Sequence, residues 1–131
     1  MAGERCDPNT IRWMNKTIPS AILNDNWWQT ESGFPMCTNL LNTEKYGPVF
    51  PTLPGSATKI LPGWDCALIN EEGEVCGRNE LGKVCIKLPT PPCHAIGLWN
   101  KNELYVEKYL EEVPGYYIAG DEGIVDDRGY L

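Results

Sequence analysis

Between Gly33 and Gly63 the chain carries glycine or proline at positions 33, 35, 47, 48, 51, 54, 55, 62 and 63, and no other feature constrains its folding as much. Proline removes a backbone donor, and glycine loses more conformational entropy on folding than any other residue. Neither a helix nor a long strand propagates through such a stretch. The segment reads as loop with one short strand, so the regular elements must lie on either side of it.

Upstream, Asp7 is a good N-cap and Pro8 suits the first helical position, while Ile11 and Met14 share a face. This predicts a helix over about residues 8–16, ended by Pro19. Ala21-Ile22-Leu23 is a continuous apolar run before polar Asn24-Asp25, the pattern of a short buried strand. Downstream, Trp64, Cys66 and Leu68 alternate with Asp65, Ala67 and Ile69, Asn70 to Gly73 makes a turn, and Glu74-Val75-Cys76 resumes, which together read as a hairpin. Lys83 to Leu88 alternates more cleanly, and Pro89 to Pro92 breaks it. A second helix is expected from about 101 to 112, opened by Asn100 with Glu103 in a capping-box arrangement and closed by Pro114-Gly115. On it, Tyr105 with Tyr109 and Val106 with Leu110 are four apart and pack inward. Tyr116 to Ile118 and Ile124-Val125 read as strands flanking Gly120-Asp121-Glu122-Gly123.

Composition excludes several classes. The net charge is −7 and the 11 basic residues are scattered, which argues against nucleic-acid binding through clustered phosphate contacts. No apolar run approaches the roughly 18 residues that cross a bilayer, and the first residues are not a basic-then-apolar leader. Hydrophobic residues at 42% and charged residues at 22% are ordinary globular usage. The six cysteines, at 6, 37, 66, 76, 85 and 93, are too sparse for a disulfide scaffold and favour a reducing compartment. A disulfide-linked secreted domain is the weaker alternative. Cys76, Cys85, Cys93 and His94 supply atoms for zinc, yet no Cys-x-x-Cys pair pre-forms a tetrahedral corner. His94 has no evident acid–base partner and reads as structural.

The chemistry concentrates in Asp25-Asn26-Trp27-Trp28-Gln29-Thr30-Glu31-Ser32-Gly33. Paired indoles make an apolar wall beside a hydroxyl, which donates to phosphate, and a carboxylate, which binds a hard cation. Such a site suits a small acyl group held against a magnesium-bound nucleotide. The segment resembles the signature of AMP-forming acyl-CoA synthetases, in the short-chain acetyl- and propionyl-CoA synthetase branch. Ala2-Gly3-Glu4-Arg5 is similar to the family's adenine-side motif and Pro54 to Lys59 to its next block. Pro114 to Asp121, with Asp126 to Tyr130, is similar to its ribose-binding block. These motifs follow the family's order from residue 2 to residue 130.

The resemblance implies a mixed α/β fold: a fragment of the large N-terminal domain of an adenylate-forming enzyme. Residues 1–63 would end its α/β nucleotide-binding subdomain, and residues 64–131 would form an antiparallel sheet or distorted β-barrel. It implies two half-reactions, in which a carboxylate attacks the α-phosphate of ATP and coenzyme A then takes the acyl group. Thr30 would donate to the α-phosphate and Glu31 would hold Mg²⁺. Trp28 would floor an acyl pocket sized for acetate or propionate. Gly3, Glu4, Arg5, Asp25, Asn26, Trp27 and Gln29 would form the adenine side, and Asp121 would accept both ribose hydroxyls. Lys87 to Pro92, followed by Gly97-Leu98-Trp99, is more similar to the propionyl subgroup. The expected partners are a small carboxylate, ATP and coenzyme A, in the cytoplasm or mitochondrial matrix.

The family's Ser/Thr/Gly-rich phosphate loop lies upstream of this region, and its mobile lysine-bearing domain lies downstream. The 131 residues are therefore expected to be an internal slice, inactive alone. The alternative is a free-standing, non-catalytic nucleotide-binding or interaction module of the same descent.

Overall fold

Asp7 caps the first helix as its sequence dictates, the Asp7 carboxylate accepting from the Thr10 backbone N–H at 2.9 Å. This helix, α1, spans Pro8–Thr17 and buries Ile11. The computed structural model describes residues 6–42, 44, 45 and 47–131. After α1 come the short strands β1 (Asn26–Trp27), β2 (Cys37–Thr38), β3 (Leu41–Asn42), β4 (Gly47–Pro48) and β5 (Lys59–Ile60). Longer elements follow: β6 (Cys66–Ile69), β7 (Leu81–Lys87), helix α2 (Asn102–Tyr109) and β8 (Tyr116–Ile124).

The strands form three antiparallel sheets, ordered β1-β2-β5, β3-β4 and β6-β7-β8. The proline- and glycine-rich segment thus holds four two-residue strands rather than one, and one of them, β4, is made of Gly47 and Pro48 themselves, because a single pair of bridged residues does not require every backbone donor. The third sheet stays open between edges β6 and β8. The fold is mixed α/β, with no closed barrel among the described residues. No described helix is long and apolar enough to cross a membrane.

β7 runs between two apolar clusters. Val84 and Ile86 face the larger one, with Met36, Leu61, Trp64, Leu68, Tyr105 and Tyr117, while Cys85 faces Ile69 and Ile118 on the other side. Burial on both faces is what the centre of a sheet requires, and removing the Ile86 side chain from water alone contributes about 2–3 kcal/mol. None of the six cysteines is joined in a disulfide. Burial pushes Cys66 up to about 12 and Cys85 up to about 11, which leaves these thiols protonated and unreactive.

Four expectations need correction. Ala21-Ile22-Leu23 is not a buried strand: no neighbouring strand pairs with it, Ile22 is 42% exposed, and the strand begins at Asn26. Three apolar residues cannot hold a strand without a partner for their backbone. Asn100 does not cap α2. It adopts a left-handed backbone (φ 55°), and Lys101 becomes the cap with no side-chain bond. The helix also ends at Tyr109, short of the proline. The segments expected as two strands around Gly120 to Gly123 are one continuous strand, β8, with an irregularity: Lys83 pairs with Glu122 and Cys85 with Ile118, so three residues oppose Val84. Gly120, at φ 79°, makes this bulge possible.

The last turn is organised by Asp126. Its carboxylate accepts from the backbone N–H groups of Tyr130 and Arg128, each at 2.9 Å, and from the Arg128 guanidinium at 2.8 and 2.9 Å.

Two outcomes are expected. Ile86→Ala should destabilise the protein by about 2–5 kcal/mol in urea titration, because the cavity opens between well-packed neighbours. The Tyr130 N–H, foremost, and Arg128 hold the Asp126 carboxyl below its usual 3.8. A depressed folded value means a stabilisation present above 3.8 and lost as pH falls through the lower folded value. The Tyr130 ring environment, followed by NMR, should therefore lose its native shift only below about pH 4, and Asp126→Asn should abolish that transition.

Candidate nucleotide and acyl site

The short β1 strand is anchored by polar side chains rather than by length. Thr38 on β2 places its hydroxyl between the side-chain oxygens of Asn24 and Asn26, and Asn24 Oδ1 also accepts from the Asn39 N–H at 3.2 Å. With β1 fixed in this way, Trp27 projects toward the β8 bulge. Its indole Nε1 donates to Asp121 Oδ2 at 2.9 Å, and Gln29 Nε2 lies 3.4 Å from the same oxygen. Gln29 Nε2 also donates to the Ala119 carbonyl, and the buried Tyr117 hydroxyl donates to Gln29 Oε1 at 3.2 Å. Asp121 Oδ1 has no hydrogen-bond partner among the described residues, and the side chain is exposed.

These groups border a cleft of about 680 Å³. Asp25, Asn26, Trp27, Trp28 and Gln29 line it together with Asp121 to Ile124, the two stretches meeting where Trp27 and Gln29 reach Asp121. Gly55-Ser56-Ala57 closes one end, held by the chain's last residue: Ala57 N–H donates to the Leu131 carbonyl at 2.8 Å, and Leu131 N–H donates to the Thr58 carbonyl at 2.9 Å. Thr58 is fully buried at φ 72°, a costly backbone for a β-branched residue, and these bonds hold it there. Asp25 is buried, and desolvation pushes its carboxyl up, partly opposed by the Asn26 N–H it accepts at 3.0 Å.

The cleft's electrostatics limit what it can take. Asp25, Asp121 and Glu122 are acidic, and no lysine or arginine lines the cleft among the described residues. Carboxylates accept from hydroxyls and amino groups and repel phosphate, so this wall suits a sugar and a base beside an indole.

Trp28 lines the cleft and is 44% exposed. Thr30 and Glu31 occupy the turn beyond it and are not part of the lining. Thr30 is exposed, and Glu31 Oε1 accepts from the Tyr109 hydroxyl at 2.8 Å. Gly33 closes the turn at φ 62°, where a Cβ would sit 2.7 Å from the Cys93 carbonyl. Gly3, Glu4 and Arg5 lie outside the described residues. The structure therefore brings Asp25, Asn26, Trp27, Trp28, Gln29 and Asp121 to one cleft, with Thr30 and Glu31 adjacent. Among the described residues no cluster of three or more His, Cys, Asp or Glu side chains is arranged for a metal.

Sequence reasoning named no site role for Ser56, Ala57, Glu122, Tyr109 or Tyr117, although Ser56, Ala57 and Tyr117 sit in motif-like blocks and Tyr109 was expected to pack inward. The hydroxyl contacts of the two tyrosines carry no local signal, because their partners are 78 and 88 residues away.

Comparison with known proteins places the chain in a family. The family profile described as "AMP-binding enzyme" matches residues 1–92. The mitochondrial acyl-CoA synthetase short-chain family member 3 of Mus musculus is 38% identical over all of this chain, which covers 19% of that protein. The Homo sapiens protein of the same name is 38% identical, with the whole chain matched to 18% of its length. The acetyl-coenzyme A synthetase of Chlorobaculum tepidum is 34% identical over 98% of the chain and 19% of its own length. The chain thus spans about a fifth of the length of the curated relatives it matches. On the profile match and these identities, the chain belongs to the AMP-binding enzyme family.

Proposed function

We propose that this chain supplies the adenylate and acyl-pocket wall of an AMP-forming ligase that joins an acetate- or propionate-sized acid to coenzyme A. The observation that carries this reading is the convergence of Trp27, Gln29 and Asp121 on one cleft edge, with Trp28 beside it. Trp27 and Gln29 occupy Asp121 Oδ2 and orient the carboxylate, and Oδ1 meets no donor among the described residues. That arrangement leaves acceptor capacity for the ribose diol.

In the first half-reaction a carboxylate oxygen bonds to the α-phosphorus of ATP as the bond to pyrophosphate breaks. In the second, the coenzyme A thiol loses its proton and bonds to the acyl carbon as AMP leaves. Asp121 holds the ribose, and Asp25, Asn26, Trp27 and Gln29 shape the base side together with Gly3, Glu4 and Arg5. Trp28 bounds the acyl group. Thr30 donates its hydroxyl to the α-phosphate. Glu31 would hold a magnesium ion through its carboxylate together with nucleotide phosphate oxygens, since Mg²⁺ commonly takes one or two carboxylates plus phosphate oxygens. When bound, the ion offsets charge on the phosphoryl oxygens. We further assign residues 1–63 to a nucleotide-side subdomain and residues 64–131 to a β subdomain. The setting is intracellular, cytoplasmic or mitochondrial, in keeping with the mitochondrial relatives and the free thiols.

The 131 residues by themselves bind nucleotide but do not turn over. Phosphoryl transfer needs positive charge at the developing oxyanions, and among the described residues no lysine or arginine lines this cleft. Isothermal titration with AMP should show binding that weakens roughly tenfold or more in Asp121→Ala, the loss of a charged hydrogen-bond pair. 2′,3′-Dideoxy-AMP should bind the unmodified protein as weakly as AMP binds that variant. Equal affinity of AMP and its dideoxy analogue would overturn the assignment.

A further inference from the structure

Three tyrosines outside the tryptophan motif hold it from behind. Tyr105 and Tyr109 lie one turn apart on α2 with ring centroids 5.2 Å apart, and Tyr109 stacks on Tyr117 of β8 at 5.1 Å and 13°. Each hydroxyl ends on the turn from Gln29 to Glu31, directly or through one residue. Tyr117 donates to the Gln29 side chain at 3.2 Å and Tyr109 to the Glu31 carboxylate at 2.8 Å. Tyr105 donates to the Ala95 carbonyl at 2.8 Å, and the Ala95 N–H donates to the Glu31 carbonyl at 2.7 Å. Glu31 is therefore held at its backbone and at its carboxylate by the same helix.

The geometry points to Tyr109 as a positioning residue of the nucleotide site: its hydroxyl fixes the Glu31 carboxylate, and through it α2 sets the conformation of the turn that presents Thr30. This rests on the reading of Thr30 and Glu31 given above. A bond from phenol to carboxylate is stronger than a neutral one, and this one is partly shielded from water. The other bonds of the turn gather on buried Ser32 and leave Thr30 exposed. Ser32 N–H and its hydroxyl reach the Gln29 carbonyl at 3.1 and 2.7 Å, and the hydroxyl lies 2.8 Å from the Phe34 carbonyl. Gln29 N–H donates to the Ser32 hydroxyl oxygen at 3.0 Å, and Gly33 N–H donates to the Thr30 carbonyl at 3.3 Å. None of these bonds holds the Glu31 carboxylate.

Amide hydrogen exchange tests this without any nucleotide. Tyr109→Phe keeps the ring stack and removes one hydroxyl. The amides of Ser32, Gly33 and Ala95 should exchange roughly tenfold faster in the variant while those of β7 keep their wild-type rates, the signature of local rather than global opening. Unchanged exchange at those three amides, or equal acceleration in β7, would overturn the proposal. Glu31→Ala removes the same bond from its other end and should give the same pattern, which decides the matter should Tyr109→Phe not fold. A parallel AMP titration separates the two ideas. Absence of AMP binding by the unmodified protein counts against the proposed function, whereas the exchange rates bear on Tyr109 alone.

Discussion

The hydrogen bond from the Trp27 indole to the Asp121 carboxylate joins two parts of the chain that lie 94 residues apart in sequence, and most of the cleft's shape depends on it. On one side stands a sheet whose strands are two residues long. On the other stands a nine-residue strand with a bulge. Neither wall has the length to define an angle to the other by backbone pairing, because no ladder connects β1 to β8. A side-chain donor and an ionised acceptor at 2.9 Å give both distance and direction. Gln29, bridging the Tyr117 hydroxyl and the Ala119 carbonyl, repeats the connection from the next pleat.

Polar networks do in this fold what long strands do elsewhere. The Asn24, Asn26, Thr38 and Asn39 group ties the entry to β1 onto β2, and Thr52 extends it by donating to the Leu23 carbonyl at 2.6 Å. A segment broken so often by proline and glycine cannot satisfy its backbone by ladders, so asparagine and threonine side chains satisfy it instead. Apolar packing then concentrates around β7, where Met36 and Leu61 from the loop-rich segment meet Trp64, Leu68 and Tyr117.

What was legible in the residues follows the range of the interactions. Helix α1 shows itself through Asp7 and Pro8, since a cap and its target are three residues apart. The turn after Ile69 and the alternation in β7 are equally local, whereas the expected partner of β6, Glu74 to Cys76, contributes an isolated bridge from Val75 to Ile69 and the ladder forms with β7 instead. The apolar run at Ala21 to Leu23 misleads because nothing within it announces that a strand partner is missing. Asn100 misleads because a capping residue and a left-handed turn residue draw on the same side-chain chemistry. At the site, Asp25 to Gln29 and Asp121 could be singled out by motif similarity. The hydroxyl contacts of Tyr109 and Tyr117 could not, because they depend on where α2 and β8 settle after folding.

The bulge around Gly120 has a second effect. β8 is an edge strand, and nine residues of regular edge would offer unpaired backbone donors and acceptors to any other extended chain. The kink at Gly120 interrupts that row near its middle, and exposed Asp121 and Glu122 set two negative charges beside the interruption. Like charges on an approaching copy of the same edge repel. The irregularity that turns a carboxylate into the cleft therefore also discourages edge-to-edge aggregation.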